Sequence, residues 1–225
     1  MEIIPAILPK SYNTIYEGID MIKGLSNKVQ IDICDGKFVP TITWPYWKSE
    51  EKIDQDFELL IKEDRGLLEW DTIDYEFDLM ILEPSTEDAR NWLAAGASKI
   101  VLHIESSSDL DPAIGILDGL VQIGIAIHNT TDITKLNKYL GRFQYIQIMG
   151  IRKAGFQRQN FEMETLDKIR EVKKAFPDLP VQIDGGVTLE TAKLIKEAGA
   201  DRVVSGSTLF DSYNIVDTLE QFKRI

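Results

Sequence analysis

One cysteine, Cys34, stands in 225 residues. A single thiol leaves no partner for an internal disulfide and fits a reducing cytosol. No apolar run approaches the length a bilayer crossing needs, and Met1-Glu2-Ile3-Ile4-Pro5 lacks the basic segment that opens a secretory leader, so a cytoplasmic protein is expected. Positive charge is scarce: 25 Lys and Arg against 37 Asp and Glu give a formal net charge of −12. That balance argues against nucleic acid or an anionic membrane as the main partner. It leaves room for a small anionic substrate, because a helix N-terminus can hold a phosphate locally. Polar low-complexity tracts are also missing, and the 44% of apolar residues are spread evenly, which argues against disorder.

What is present is alternation. Apolar, β-branched runs predict strands near 2–8, 28–34, 75–81, 99–104, 123–128, 143–149, 180–184 and 202–205. Helical periodicity fills the gaps at 11–24, 52–64, 86–95, 109–121, 132–140, 161–175, 188–198 and 213–224. Strands that alternate with helices pair in parallel through crossover connections. Eight such units over 1–225 predict one α/β domain, a closed (β/α)8 TIM barrel. Ala95-Gly96-Ala97-Ser98-Lys99-Ile100-Val101 echoes Ala198-Gly199-Ala200-Asp201-Arg202-Val203-Val204, each glycine ending a helix before a strand. The segment 44–74 is irregular and carries Trp44, Trp47 and Trp70. It reads either as an aromatic excursion packed on the barrel or a neighbouring subunit, or as a substrate lid.

In a barrel, reacting groups gather where the strands end at the C-terminal rim. Those ends here are Gln30 with Asp32, Asp78, His103 with Glu105, His128, Met149, Asp184, and Ser205 with Gly206 and Ser207. Residues two apart on a strand face the same way, so Gln30 and Asp32 project together. Asp32 and Asp184 each close an apolar strand and lead into a glycine turn, Gly36 in one case and Gly185-Gly186 in the other. If the strands aim inward, Asp32, Asp78 and Asp184 share one small cavity. Two carboxylates about 4 Å apart repel by roughly 4 kcal/mol at an effective dielectric of 20. A cation or a shared proton must then be present, and either outcome suits acid–base chemistry.

These residues resemble the ribulose-phosphate 3-epimerase family. The resemblance is carried by Asp32-Ile33-Cys34-Asp35-Gly36-Lys37-Phe38-Val39-Pro40, by Asp78-Leu79-Met80-Ile81 with Pro84, by His103-Ile104-Glu105, by Gly155-Phe156 with Gln159, and by Asp184-Gly185-Gly186 and Ser205-Gly206-Ser207-Thr208-Leu209-Phe210. It implies a barrel of the ribulose-phosphate-binding type and an isomerase that epimerises a ketose phosphate at C3. Asp32 and Asp184 would be its two proton carriers, working through an enediolate. It further implies a substrate phosphate held around Gly185, Gly186, Gly206 and Ser207, with Gly155 before Phe156 allowing a flap, and a homo-oligomer. Arg158, where the family has a glycine, reads either as a bidentate clamp on that phosphate or as a solvated loop arginine. The family's metal is held by two histidines and two aspartates; here the histidine positions fall on Gln30 and Asp78. Gln30, Asp32, Asp78 and Asp184 would offer only oxygen, a set suited to Mg2+ or Mn2+ more than to Zn2+. Around them stand Ala6 where the family has a serine, Cys34 where it has a methionine, the methionines Met80 and Met149, and the rim histidines His103 and His128. Competing readings are a non-catalytic sugar-phosphate-binding protein and a barrel lyase or decarboxylase. The latter would want a lysine among the rim carboxylates.

Overall fold

A computed structural model describes residues 1–47 and 54–225. Eight parallel strands close into a barrel in chain order: β1 (Glu2–Ile7), β2 (Lys28–Cys34), β3 (Asp74–Met80), β4 (Lys99–His103), β5 (Gln122–His128), β6 (Tyr145–Met149), β7 (Val181–Asp184) and β8 (Arg202–Ser205). Around it run α1 (Tyr12–Ile22), α2 (Gln55–Ile61), α3 (Thr86–Ala94), α4 (Asp111–Leu117), α5 (Thr165–Ala175), α6 (Leu189–Ala198), α7 (Ser207–Phe210) and α8 (Ile215–Arg224). The TIM barrel expected from the alternation is therefore the observed architecture.

Two details depart from the periodicity. The segment expected to be an α-helix at 132–140 is a 3-10 helix, Ile133–Tyr139, and the short helix α7 follows β8 directly. Four residues are too few to register as a 3.6-residue pattern, so α7 was hidden from the sequence. The expected helix over 52–64 is described only as α2, and its first positions lie outside the described residues. Among the described residues, no helix is long and apolar enough to cross a membrane.

Strand alternation sorts the side chains into two cores. Ile31, Ile33, Phe77, Leu79, Ile100, Leu102, Ile146, Ile148 and Ile183 point outward and pack under the helices. The residues between them point into the barrel, and many are polar: Gln30, Glu76, Asp78, Lys99, His103, Gln147, Gln182 and Arg202 are all buried. Gly96 and Gly199 both take left-handed backbone, with φ of 97° and 108°, and each precedes a strand as the echoed sequence predicts. Trp44 is buried against Tyr12, Phe57 and Trp92, and its indole N–H donates to Asp54. The part of the 44–74 excursion around Trp44 thus packs on the helical layer. Trp47 and Trp70 are exposed, and no residue of the segment lines the barrel mouth among the described residues.

Candidate active site

The barrel register brings the acids together. Asp32 on β2 lies beside Asp78 on β3, and Met149 on β6 beside Asp184 on β7. One oxygen from each of Asp32, Asp78 and Asp184 lies within 4.8 Å of the others. Above them opens a cavity of about 330 Å3, lined by Ala6, Asp32, Met80, Met149 and Asp184 on one side. Gly155, Phe156, Arg158, Gly185, Gly186, Gly206 and Ser207 line the other. The two acids that face the cavity directly are Asp32 and Asp184; Asp78 is fully buried beneath them.

Each acid is held by donors. Gln30 Nε2 lies 3.0 Å from Asp32 Oδ1 and 3.3 Å from Asp184 Oδ2. Asp78 is bonded to His103 Nε2 at 2.8 Å and accepts from Gln147 Nε2 at 3.0 Å. Burial alone would lower the His103 pKa, but the charge of Asp78 and its hydrogen bond outweigh that and raise it. Burial, and then the Asp78 charge, pushes the Asp32 carboxyl up to about 8. Burial, and then Asp32, drives Asp184 well above the usual carboxylate range. An aspartate in an unfolded chain ionises near 3.9. From about pH 4 to about pH 8 the folded protein therefore keeps protons that the unfolded chain has lost, and stability must fall as pH rises across that window. Thermal unfolding of chelator-treated protein should show this slope, and Asp32→Asn should flatten it. A melting temperature independent of pH over that window would contradict the shared-proton description.

Several expectations need correction. The amide of Gln30 turns its nitrogen, not its oxygen, toward the aspartates, so it is a donor and not an oxygen ligand as placed. His128 does not line the cavity: its ring bonds Thr130 Oγ1 at 2.8 Å and the Arg152 carbonyl at 3.2 Å, tying two loops together. His103 stands behind Asp78 instead of facing the cavity. Cys34 is buried beside Val39 and Met80, and burial raises its thiol pKa. Glu105 is also structural, accepting from the His128 N–H at 2.8 Å and from Thr131 Oγ1.

The glycines divide by cause. A Cβ on Gly155 would lie 2.8 Å from Val39, one on Gly185 2.7 Å from Ile151, and one on Gly206 2.8 Å from the Gln157 amide. Among the described residues, no protein acceptor takes the N–H of Gly186, Ser207 or Thr208, and these groups sit at the cavity wall. Arg158 has φ of 59° and forks onto Asp211 at 2.9 and 3.0 Å. Both partners are largely exposed, so this pair adds little stability. Its effect is to tie the 155–159 loop to the end of α7.

The ribulose-phosphate 3-epimerase family model matches residues 2–210. The chain belongs to that family. It is 26% identical over 229 residues to the ribulose-phosphate 3-epimerase of Escherichia coli K12, covering 98% of this chain and 94% of that one. The Bacillus subtilis 168 enzyme of the same name is 29% identical over 217 residues, covering 93% and 92%. Among solved structures, KGPDC from Streptococcus mutans, in complex with D-R5P, superposes with a TM-score of 0.72 at 12% identity, covering 99% of this chain and 95% of that one. The 3-hexulose-6-phosphate synthase of Salmonella typhimurium gives 0.71 at 10% identity, covering 100% and 97%. At such identities the likeness concerns the barrel alone.

The residues that sequence reasoning missed are Glu76, Gln147 and Gln182. They lie two positions before Asp78, Met149 and Asp184. The same two-residue step that pairs Gln30 with Asp32 was the signal that could have found them.

Proposed function

We infer that this member of the family epimerises a ketose phosphate at C3, with Asp32 and Asp184 as the two proton carriers. The observation that carries the reading is a pair of buried carboxyls, from β2 and β7, opening on one cavity with both pKa values raised. A carboxyl near neutrality can hold a proton while its partner accepts one, which two-sided proton transfer requires. One aspartate removes the proton beside the ketone and leaves an enediolate; the other delivers a proton to the opposite face. The free N–H groups of Gly186, Ser207 and Thr208 suit the substrate phosphate, with α7 beginning at Ser207. Ala6, Met80 and Met149 give the reacting carbon a partly apolar wall. No lysine lines the cavity among the described residues, which disfavours a decarboxylase.

A divalent cation fits the three carboxylates by position and by chemistry. Asp32, Asp78 and Asp184 would hold it, and its charge would stabilise oxygen anions formed during proton transfer. With oxygen donors only, Mg2+ or Mn2+ suits the set and Zn2+ does not. Elemental analysis of protein purified without chelator should find no stoichiometric zinc; tightly held zinc would show that an imidazole had joined the ligands.

The function itself is tested by incubating the protein with ribulose 5-phosphate and other ketose phosphates, with added Mg2+ or Mn2+, and following the C3 epimer by NMR. Appearance of the epimer is the expected result. Saturable binding with no epimer from any of them would overturn the reading in favour of a sugar-phosphate-binding protein.

A further inference from the structure

Beneath the acids lies a buried amide hub that the proposed chemistry does not use. Gln182 sits at its centre, fully buried. Its Nε2 lies 2.6 Å from Glu76 Oε1, 2.8 Å from Gln147 Oε1 and 3.2 Å from Gln30 Oε1. Its own oxygen is buried without a partner. Three acceptors thus compete for two N–H bonds while an acceptor goes unused. Such an arrangement costs free energy and calls for a reason.

The reason lies in which way each amide points. Glu76 accepts from Gln182 and from the Tyr145 hydroxyl, the latter at 2.8 Å. A reversed Gln182 would set its oxygen against that carboxylate, so Glu76 fixes the Gln182 nitrogen inward. Gln182 then offers its second N–H to Gln147 and Gln30 together, at 2.8 and 3.2 Å, which favours the Gln30 oxygen downward. The Gln30 nitrogen is left facing Asp32 and Asp184, at 3.0 and 3.3 Å. On the other branch, Gln147 accepts from Gln182 and donates to Asp78 at 3.0 Å. The amides thus run from Glu76 at one end to Asp32, Asp78 and Asp184 at the other.

The geometry points to Gln182 as a positioning residue that sets how the acid triad treats a cation. By holding Gln30 as an N–H donor, it keeps a fourth oxygen away from the ion and places a competing donor on two of the three carboxylates. The triad then binds a divalent cation through Asp32, Asp78 and Asp184 alone, and more weakly than its donor count allows. Removing the Gln182 N–H lets Gln30 turn its oxygen toward the ion. This inference rests on the cation reading above, and it concerns affinity, not turnover.

The test is Mn2+ binding measured by isothermal titration calorimetry on chelator-treated protein. Gln182→Met keeps the length of the side chain and removes the donor without changing charge. Its Mn2+ affinity should rise roughly tenfold, the scale on which partners of metal ligands act. In the Gln30→Met background the same change should do nothing, because the oxygen it releases is gone. Simple loosening of the core would weaken binding or leave it unchanged, so the direction separates the two causes. Gln182→Met also takes one of two donors from Glu76. The comparison is therefore repeated with Glu76→Gln and Gln182→Met together, which leaves no carboxylate at position 76 short of donors but also removes the negative charge that faces Lys99 and Arg202. Losing that negative charge should by itself weaken Mn2+ binding, so tightening there is stronger support. Unchanged or weaker affinity in both variants overturns the proposal, as does tightening that persists with Gln30→Met. If neither wild type nor any variant binds Mn2+, the cation reading falls with it, while the epimer assay still decides the function on its own.

Discussion

Asp32→Asn and Asp184→Asn should each lower epimerisation by about 10²–10⁴-fold, the usual contribution of a positioned acid or base. Both side chains are buried at the cavity floor, and an amide keeps their size. What it removes is the capacity to carry a proton. The two changes should differ in what they leave behind. In heavy water, a protein that retains only the carboxylate facing the departing proton can still wash that proton out of ribulose 5-phosphate. The variant lacking that carboxylate cannot. Deuterium should therefore enter C3 of the substrate in one variant and not in the other, with epimer formed by neither at an appreciable rate. Phosphate-driven binding should survive both changes, because the free N–H groups near Gly186 and Ser207 are untouched. Equal, near wild-type epimerisation in either variant would remove that residue from the mechanism.

The barrel was legible because its cause is local and repeated. Each strand is a short apolar run and each return is an amphipathic segment, so eight units could be counted before their closure was known. The two aspartates were legible for a related reason: a charged residue ending an apolar strand is rare enough to notice. The amide hub was not, because glutamine inside an apolar run looks like an outward-facing polar residue until closure assigns the faces. Gln147 and Gln182 become informative only when β6 and β7 are adjacent in register, with Gln147 opposite Gln182. The role of Gln30 shows the same limit. Its chemistry allows donor or acceptor, and only Gln182 and Glu76, 152 and 46 residues away in sequence, decide which. His128 misled in the opposite direction, since a strand end marks the rim but does not say whether the ring turns in or across to the next loop.

Gly186→Ala should be the most damaging of the small substitutions, and for a reason distinct from phosphate binding. Gly186 has φ of 69°, and a Cβ there would lie 2.6 Å from Phe161 Cα and 2.7 Å from its backbone nitrogen. Backbone atoms cannot rotate aside as a side chain can. The segment that would have to retreat is itself fastened, since the Glu162 N–H donates to the Gly150 carbonyl at 2.8 Å. The Gly150 N–H in turn donates to the Asp184 carbonyl at 2.6 Å. Strain at residue 186 is thus passed to Asp184, one of the two proposed proton carriers. Gly24 supplies the control: its φ is 74°, yet nothing lies within 4 Å of a Cβ built there. Gly24→Ala should cost only the backbone penalty, about 1–2 kcal/mol for an alanine held in left-handed geometry. It should leave epimerisation unchanged. Gly186→Ala should cost clearly more than Gly24→Ala in urea unfolding, and should reduce ribulose 5-phosphate binding and turnover together. Equal losses of stability at the two positions would mean that conformation alone dictates glycine at 186, and that the contact with Phe161 yields without effort.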